Sequence, residues 1–169
     1  MEIERKFLAD PSALSLDQYP RKEMSQGYIS TDPVIRIRRS NDSYILTVKS
    51  GGLLAREEFE TELTGEQYDR LSDKVEGTFL SKTRYLIPYS FSGSELTIEL
   101  DVFHDALDGL IYAEVEFDSV EEAEAFLPPS WFLREVTEDG SFTNAALSRL
   151  SGDEISTFLD RVRLTPGVF

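Results

Sequence analysis

The chain has 169 residues, a length that suits one domain, and 40% of them are hydrophobic, which is enough to form a buried core. Its formal net charge of −15 argues against a surface that binds nucleic acid or an anionic membrane, because such surfaces need excess Lys and Arg. The absence of cysteine excludes disulfides and Cys-ligated metal sites, and the single histidine, His104, argues against a His-based zinc site or a Ser-His-Asp triad.

Membrane and export signals are not found in the sequence. No run approaches the ~20 apolar residues that span a bilayer, and the charged N-terminus lacks the apolar stretch of a secretory signal. We therefore expect no nucleic-acid or membrane partner. A chain without cysteine is compatible with a reducing cytoplasm, which is the expected location. Composition leaves a monomer and a homodimer both open.

Alternation of polar and apolar residues predicts strands through most of the chain. In the first one, residues 1–7, Glu2, Glu4 and Lys6 share one face because successive side chains of a strand point to opposite sides. A loop or helical turn is expected over residues 11–24. Further strands are predicted at residues 26–30, 34–39, 44–49, 56–63, 79–89, 95–103 and 110–117, with turns at 32–33, 41–42, 50–52 and 108–109.

Helices are predicted where capping residues precede a change of pattern. Thr64 with Gln67 predicts a helix to about residue 75, and Ser119 with Glu122 predicts another to about residue 126. A short extended piece is expected at residues 135–137, and helices at 143–150 and 153–163. About eight strands, mostly consecutive, favour a single α+β domain over residues 1–169 that contains an antiparallel β-barrel, since closure removes exposed edges.

Charges of one sign recur at a spacing of two residues on several predicted strands. A solvated sheet face also alternates, but it usually intersperses the signs. If these faces line a barrel, two carboxylates ~4 Å apart repel by ~4 kcal/mol at an effective dielectric of ~20. Mg²⁺ or Mn²⁺ would offset that repulsion, and the basic residues would bind phosphate. The pattern therefore predicts a metal-bound polyanion, such as a triphosphate, as ligand.

These charged segments also resemble a known family. Glu2-x-Glu4-x-Lys6 is similar to the ExExK signature of the CYTH domain, the triphosphate tunnel metalloenzymes. The resemblance continues in order over about residues 1–150, through Arg36-x-Arg38, Thr47-Val48-Lys49-Ser50, Arg56-x-Glu58-x-Glu60, Lys82-Thr83-Arg84-Tyr85, Glu99-Leu100-Asp101-Val102-Phe103, Glu114-Val115-Glu116-Phe117, and Glu135-Val136-Thr137-Glu138-Asp139 with Asn144-Ala145-Ala146-Leu147. It implies an eight-stranded antiparallel tunnel with a charged lumen and with helices packed outside and at the C-terminus.

The resemblance also implies roles for individual residues. The phosphates would be bound by Lys6, Arg36, Arg38, Lys49, Arg56, Lys82 and Arg84. One or two Mg²⁺ or Mn²⁺ ions would be held by Glu2, Glu4, Glu58, Glu60, Glu114 and Glu116, with Glu99 and Asp101 in the same wall. Lys6 and Tyr28 would together position or deprotonate the attacking water, and Arg56 would in addition orient nearby carboxylates.

Within this family the chain is most similar to small bacterial inorganic tripolyphosphatases, because Gln26-Gly27-Tyr28 supplies the tyrosine of that subgroup. The expected activity is metal-dependent hydrolysis of inorganic triphosphate to pyrophosphate and phosphate. The alternatives are an adenylate cyclase that forms cyclic AMP from ATP, a thiamine or nucleoside triphosphatase, and a non-catalytic polyphosphate-binding module. The many carboxylates argue against the last alternative, because anion binding alone would not need them. Trp131, expected to be a packing residue, favours an inorganic substrate.

Overall fold

The computed structural model describes residues 3–49 and 57–164 and contains one antiparallel sheet. The predicted site residues Glu2 and Arg56 and the predicted turn at residues 50–52 lie outside the described residues. The strands are β1 (Ile3–Ala9), β2 (Arg21–Thr31), β3 (Val34–Ser40), β4 (Ser43–Lys49), β5 (Glu58–Glu62), β6 (Glu76–Phe91), β7 (Ser94–His104), β8 (Ile111–Phe117) and β9 (Phe132–Glu135). Their order across the sheet is β5-β4-β3-β2-β6-β7-β8-β1-β9.

The predicted antiparallel sheet is confirmed, because all strand pairs in this order run antiparallel. It contains nine strands, since the chain near the extended piece expected at residues 135–137 forms β9 beside β1. Within the described ranges, β5 and β9 are the two edges and do not pair with each other. Five of the eight neighbouring pairs are consecutive in sequence, whereas the pairs β2–β6, β8–β1 and β1–β9 join strands that are far apart in sequence.

The main local difference from the sequence prediction concerns β2. This strand begins at Arg21, inside the segment that was expected to be a loop or helical turn. Its first residues are polar and exposed, so they show no hydrophobic alternation. They are held in the strand by pairing with residues 83–85 of β6, a long-range contact that local sequence does not encode. Only the short 3-10 turn Leu16–Gln18 matches the expected helical turn.

The described helices are α1 (Gly65–Ser72), α2 (Val120–Ala125), α3 (Asn144–Ser148) and α4 (Gly152–Leu164). The predicted capping box of α1 is confirmed: the Gln67 N–H donates to Thr64 Oγ1 at 3.2 Å, and the Thr64 N–H donates to Gln67 Oε1 at 2.9 Å. Ser119 caps α2 by accepting from the backbone N–H of Glu122. In the described part of the chain, no helix has the length and apolarity needed to cross a membrane.

One face of the sheet forms the main hydrophobic core. Phe7, Leu100 and Val115 are buried on this face, and Phe126, directly after α2, covers them. Trp131 packs against the same core, as predicted. Strand residues alternate between faces, so the sequence neighbours of these buried side chains lie on the other face of the sheet. Those neighbours include most of the predicted site residues.

A second core covers one end of that other face. Phe103 and Tyr112 project from the sheet and are buried with Leu147 of α3 and Phe158 of α4. Close approach of α3 to the start of β6 is possible because Gly77 adopts φ +70°, and a Cβ atom there would collide with the backbone oxygen of Ser148. The C-terminal helices therefore form part of the site's surroundings.

Strand register places the predicted charges together on one face. Lys6 is opposite Glu114 across β1 and β8, Arg84 is opposite Asp101 across β6 and β7, and directly opposite residues point to the same side of a sheet. We call this side the charged face. It carries Glu4, Lys6, Gln26, Tyr28, Arg36, Arg38, Thr47, Lys49, Glu58, Glu60, Lys82, Arg84, Glu99, Asp101, Glu114 and Glu116.

Candidate active site

Asp101 is the centre of a cluster of ion pairs on the charged face. Its Oδ2 accepts from Lys82 Nζ at 2.7 Å and from Arg84 Nη2 at 3.0 Å, and its Oδ1 accepts from Arg84 Nε at 2.8 Å. Its side chain has no exposed surface. Burial alone would raise the pKa of Asp101, but Lys82 and Arg84 outweigh burial and lower that pKa. Asp101 is therefore ionised and holds both cations in fixed positions.

Two further carboxylates extend this cluster. Glu99 accepts from Arg84 Nη1 at 2.7 Å, and Glu114 Oε1 lies 3.8 Å from Lys6 Nζ and 4.0 Å from Arg84 Nη2. Burial, supported by repulsion from Glu114 and Asp101, raises the pKa of Glu99 against the attraction of Arg84. We call the six residues of this group the paired cluster. They are Lys6, Lys82, Arg84, Glu99, Asp101 and Glu114.

Lys6 is fixed by the segment that follows β9. Its backbone N–H donates to Thr137 Oγ1 at 3.0 Å, and its carbonyl accepts from the Val136 N–H at 2.8 Å. Its Nζ donates to the backbone oxygen of Phe142 at 3.1 Å and lies 4.5 Å from the centre of the Tyr112 ring. The C-terminal segment thus determines where this ammonium group lies on the charged face.

Arg36 and Arg38 are arranged in the opposite way. Neither forms an ion pair with a carboxylate of the described residues. Arg38 Nε donates to Gln26 Oε1 at 2.9 Å, and Arg36 Nη2 donates to Thr47 Oγ1 at 3.4 Å. Burial, followed by repulsion from Arg36 and Arg84, lowers the pKa of Arg38 to about 10. We call Gln26, Arg36, Arg38 and Thr47 the arginine cluster.

The remaining predicted residues near the arginine cluster differ in burial. Tyr28 is 6% exposed and lies opposite Arg36 across β2 and β3. Among the described residues Lys6 forms no hydrogen bond with Tyr28, although the two side chains lie on the same face of the sheet. Glu60 is connected to Arg36 through Thr47, which donates to Glu60 Oε1 at 3.4 Å. Lys49 and Glu58 lie opposite each other where β4 meets the exposed edge strand β5.

The other predicted metal ligands lie on β1 and β8. Glu4 and Glu116 are directly opposite each other, an arrangement of like charges that disfavours the pairing unless a cation offsets it. Glu116 and Glu99 also line a cavity of about 450 Å³. Carboxylate oxygens are the ligands that Mg²⁺ and Mn²⁺ prefer, so the type of donor fits such an ion. Within residues 3–49 and 57–164, no three Asp, Glu or His side chains are close enough together to hold a metal ion.

Sequence reasoning missed three residues of this site. Gln26, Thr47 and Tyr112 all lie on the charged face and are at most 2% exposed. Gln26 and Thr47 bond the arginines, and Tyr112 lies beneath Lys6. A signal for Gln26 and Thr47 was present, because each lies two residues from a predicted site residue on the same strand and must share its face.

Comparison with known proteins determines the family. The sequence pattern described as the CYTH domain matches residues 1–138 of this chain. The chain belongs to the CYTH domain family. This CYTH chain is 39% identical over 150 residues to an inorganic triphosphatase of Nitrosomonas europaea, covering 87% of this chain and 96% of that protein. It is 35% identical over 154 residues to an inorganic triphosphatase of Acetivibrio thermocellus, covering 86% and 92%.

A solved structure agrees with this assignment. The CYTH fold of this chain is similar to the crystal structure of an inorganic triphosphatase, with a TM-score of 0.70 and 36% sequence identity. The likeness covers 88% of this chain and 94% of the solved chain. The predicted family and its tunnel fold are therefore confirmed.

Proposed function

We propose that this CYTH protein hydrolyses inorganic tripolyphosphate to pyrophosphate and phosphate. The observation that carries the proposal is that Arg36 and Arg38 lie partly buried without a carboxylate partner among the described residues, on the same face as carboxylates of the kind that bind divalent cations. Two adjacent guanidinium groups without counter-ions match a phosphate chain in charge and geometry. The names of the two bacterial relatives support the same substrate class.

The basic residues would bind the phosphate chain at different positions. Arg36 and Arg38 would contribute free charge from β3. Lys82 and Arg84, oriented by Asp101, would face them from β6. Lys49 would add a cation from β4, and Arg56 is proposed as a further phosphate-binding residue. Such preorganised donors stabilise charge that develops on bridging and terminal oxygens in the transition state.

The carboxylates of the charged face would hold one or two Mg²⁺ or Mn²⁺ ions. The proposed ligands are Glu4 of β1, Glu114 and Glu116 of β8, Glu99 of β7, Glu58 and Glu60 of β5, and in addition Glu2. Asp101 has both oxygens bonded to cations, so we assign it to the positioning of Lys82 and Arg84. A bound divalent ion would supply charge neutralisation and a water of lowered pKa.

Lys6 and Tyr28 are proposed as the residues that position the attacking water. Lys6 lies beside Glu114, where carboxylates and cations meet, and its contacts with Thr137 and Phe142 restrict its motion. Tyr28 lies on the same face next to Arg36. The described contacts do not join the two, so a water or a phosphate oxygen would lie between them.

A product assay tests the proposed function. Purified protein is incubated with Mg²⁺ and either tripolyphosphate or ATP, and phosphate, pyrophosphate and cyclic AMP are measured. Equal amounts of phosphate and pyrophosphate from tripolyphosphate, without cyclic AMP from ATP, are expected. Cyclic AMP as the main product would instead make the protein a cyclase. Tight binding of tripolyphosphate without any product would make it a binding module.

A further inference from the structure

Gln26 is a buried polar residue of the charged face to which the proposed function assigns no role. It is 2% exposed, lies on β2 and is opposite Arg38 in the strand register. Its Oε1 accepts from Arg38 Nε at 2.9 Å, which fixes the orientation of the amide because a guanidinium N–H can only donate. The amide nitrogen therefore points away from Arg38.

That amide nitrogen has no hydrogen-bond partner among the described residues. Gln26 Nε2 is buried and unpaired, and so is Arg36 Nε. Buried donors are normally paired, since leaving one unpaired lowers the free energy of unfolding. Two unpaired donors on neighbouring positions of β2 and β3, within a cluster that also lacks a carboxylate, indicate a ligand that accepts hydrogen bonds.

The chemistry of an amide suits this position better than a further cation would. Burial and repulsion from Arg36 and Arg84 already lower the pKa of Arg38, so a third positive charge here would increase the repulsion. A carboxylate would pair with Arg38 and compete with a phosphate. A neutral amide can accept from Arg38 with its oxygen and donate from its nitrogen. It adds no positive charge, and it does not compete with a phosphate for Arg38 as a carboxylate would.

We propose that Gln26 is a substrate-binding residue whose amide nitrogen donates to a phosphate oxygen of the polyphosphate chain while its oxygen orients Arg38. The proposal rests on the proposed function, because it takes a polyphosphate as the ligand of the charged face. Gln26 would thus act on affinity for the anion, and the chemical step would depend on other residues.

The experiment measures binding of tripolyphosphate to the full chain by calorimetry in EDTA. EDTA removes divalent ions, so metal-dependent hydrolysis does not disturb the measurement. Gln26→Met removes both amide contacts without adding charge, and about tenfold weaker binding is expected, the size of one hydrogen bond to a charged acceptor. Gln26→Glu keeps the acceptor for Arg38 but removes the donor and adds a negative charge. It should weaken binding further and raise the melting temperature of the free protein. Met24→Leu, a nearby apolar change on the same face, is the control and should bind like wild type.

A double-mutant cycle separates direct contact from orientation of Arg38. If the amide contacts phosphate, Gln26→Met still weakens binding about tenfold when it is introduced beside Arg38→Met. An unchanged dissociation constant in that background, or Gln26→Met binding like wild type, would overturn the proposal for Gln26 but would not contradict the proposed triphosphatase function. Wild-type protein that neither binds nor hydrolyses tripolyphosphate would overturn the proposed function, and this proposal with it.

Discussion

On the β6–β7 side of the charged face, Lys82 and Arg84 share the buried carboxylate of Asp101, whereas on the β2–β3 side Arg36 and Arg38 have only neutral partners among the described residues. The paired cluster satisfies its charges within the protein, so its geometry exists before any ligand binds. The arginine cluster retains uncompensated positive charge. Under the proposed function, the first region would provide a fixed frame and the second would provide the free energy of anion binding.

The largest expected effect on stability comes from removing the charge of Asp101, which holds Lys82 and Arg84 in the paired cluster. Asp101→Asn leaves Lys82 and Arg84 without their shared charge in a buried place, and loss of one partner of such a pair costs about 3–5 kcal/mol. Urea denaturation measures the change in free energy of unfolding. Glu99→Gln is the matched control, because Glu99 is partly exposed and its loss should cost about 1 kcal/mol or less. Equal small losses in both variants would contradict the assigned role of Asp101.

Replacing one arginine in each region sharpens the comparison. Arg38→Met and Arg84→Met should each lower kcat/KM for tripolyphosphate by about 10²-fold, as expected for loss of one preorganised charged donor. Their stabilities should differ. Because the pKa of Arg38 is lowered to about 10, its charge opposes folding at neutral pH, and Arg38→Met should melt no lower than wild type. Arg84→Met leaves Glu99 without its partner and leaves Asp101 with Lys82 alone, so this variant should melt well below wild type. If Arg38→Met melted lower than Arg84→Met, the distinction between the compensated charge of Arg84 and the uncompensated charge of Arg38 would be contradicted.

Lys6→Met tests the member of the paired cluster that is proposed to position the attacking water. The methionine retains the apolar stem above Tyr112 but loses the ammonium group, so kcat should fall by about 10²-fold. The fold should persist, since the backbone of Lys6 keeps its bonds to Thr137 and Val136. Steady-state kinetics and circular dichroism measure the two quantities. Unchanged turnover would remove Lys6 from the proposed mechanism.

The pH dependence of stability should carry the signature of Asp101. Its pKa in the folded protein is lower than in the unfolded chain, so its contribution is present above the unfolded pKa of ~3.9 and is lost as pH falls below it. The difference in free energy of unfolding between wild type and Asp101→Asn should therefore shrink progressively as pH falls below about 4. A constant difference across this range would show that the charge of Asp101 is not what stabilises the fold.

The smallest effect on activity is expected on the opposite face of the sheet. Arg5 forms a bidentate ion pair with Glu135, at 2.7 and 2.9 Å, and also donates to the backbone oxygens of Ala123 and Phe126. Arg5→Lys keeps the charge but cannot form all of these bonds, so the free energy of unfolding should fall by about 1–2 kcal/mol while kcat/KM stays unchanged. A large loss of activity in this variant would show that the charged face is not the only surface coupled to turnover.

Sequence alone predicted that the charged residues share faces of their strands, but it did not predict their partners. Alternation at a spacing of two assigned Arg36, Arg38, Lys82 and Arg84 to common faces, because the period of a strand is fixed by covalent geometry. Which carboxylate meets which cation depends on the register between strands. That register placed Asp101, which the resemblance assigned to the metal wall, between Lys82 and Arg84.

The fold was predictable to a similar depth. Strand positions, the capping box at Thr64 and the antiparallel arrangement follow from local patterns, and they are confirmed. The early start of β2 could not be predicted, because its polar residues are in a strand only through pairing with β6. The spacing of Gln26 from Tyr28 indicates its face, but its role could not be predicted, because that role depends on the unpaired amide nitrogen beside Arg38.

The central claim is that the arginine cluster binds the phosphate chain, and one measurement tests it most directly. Thermal unfolding is followed in EDTA with and without tripolyphosphate, for wild type and for the double variant Arg36→Gln, Arg38→Gln. A ligand that binds only the folded state raises the melting temperature, so wild type should show a clear increase and the double variant almost none. An equal increase in both proteins, or no increase in wild type, would contradict the claim.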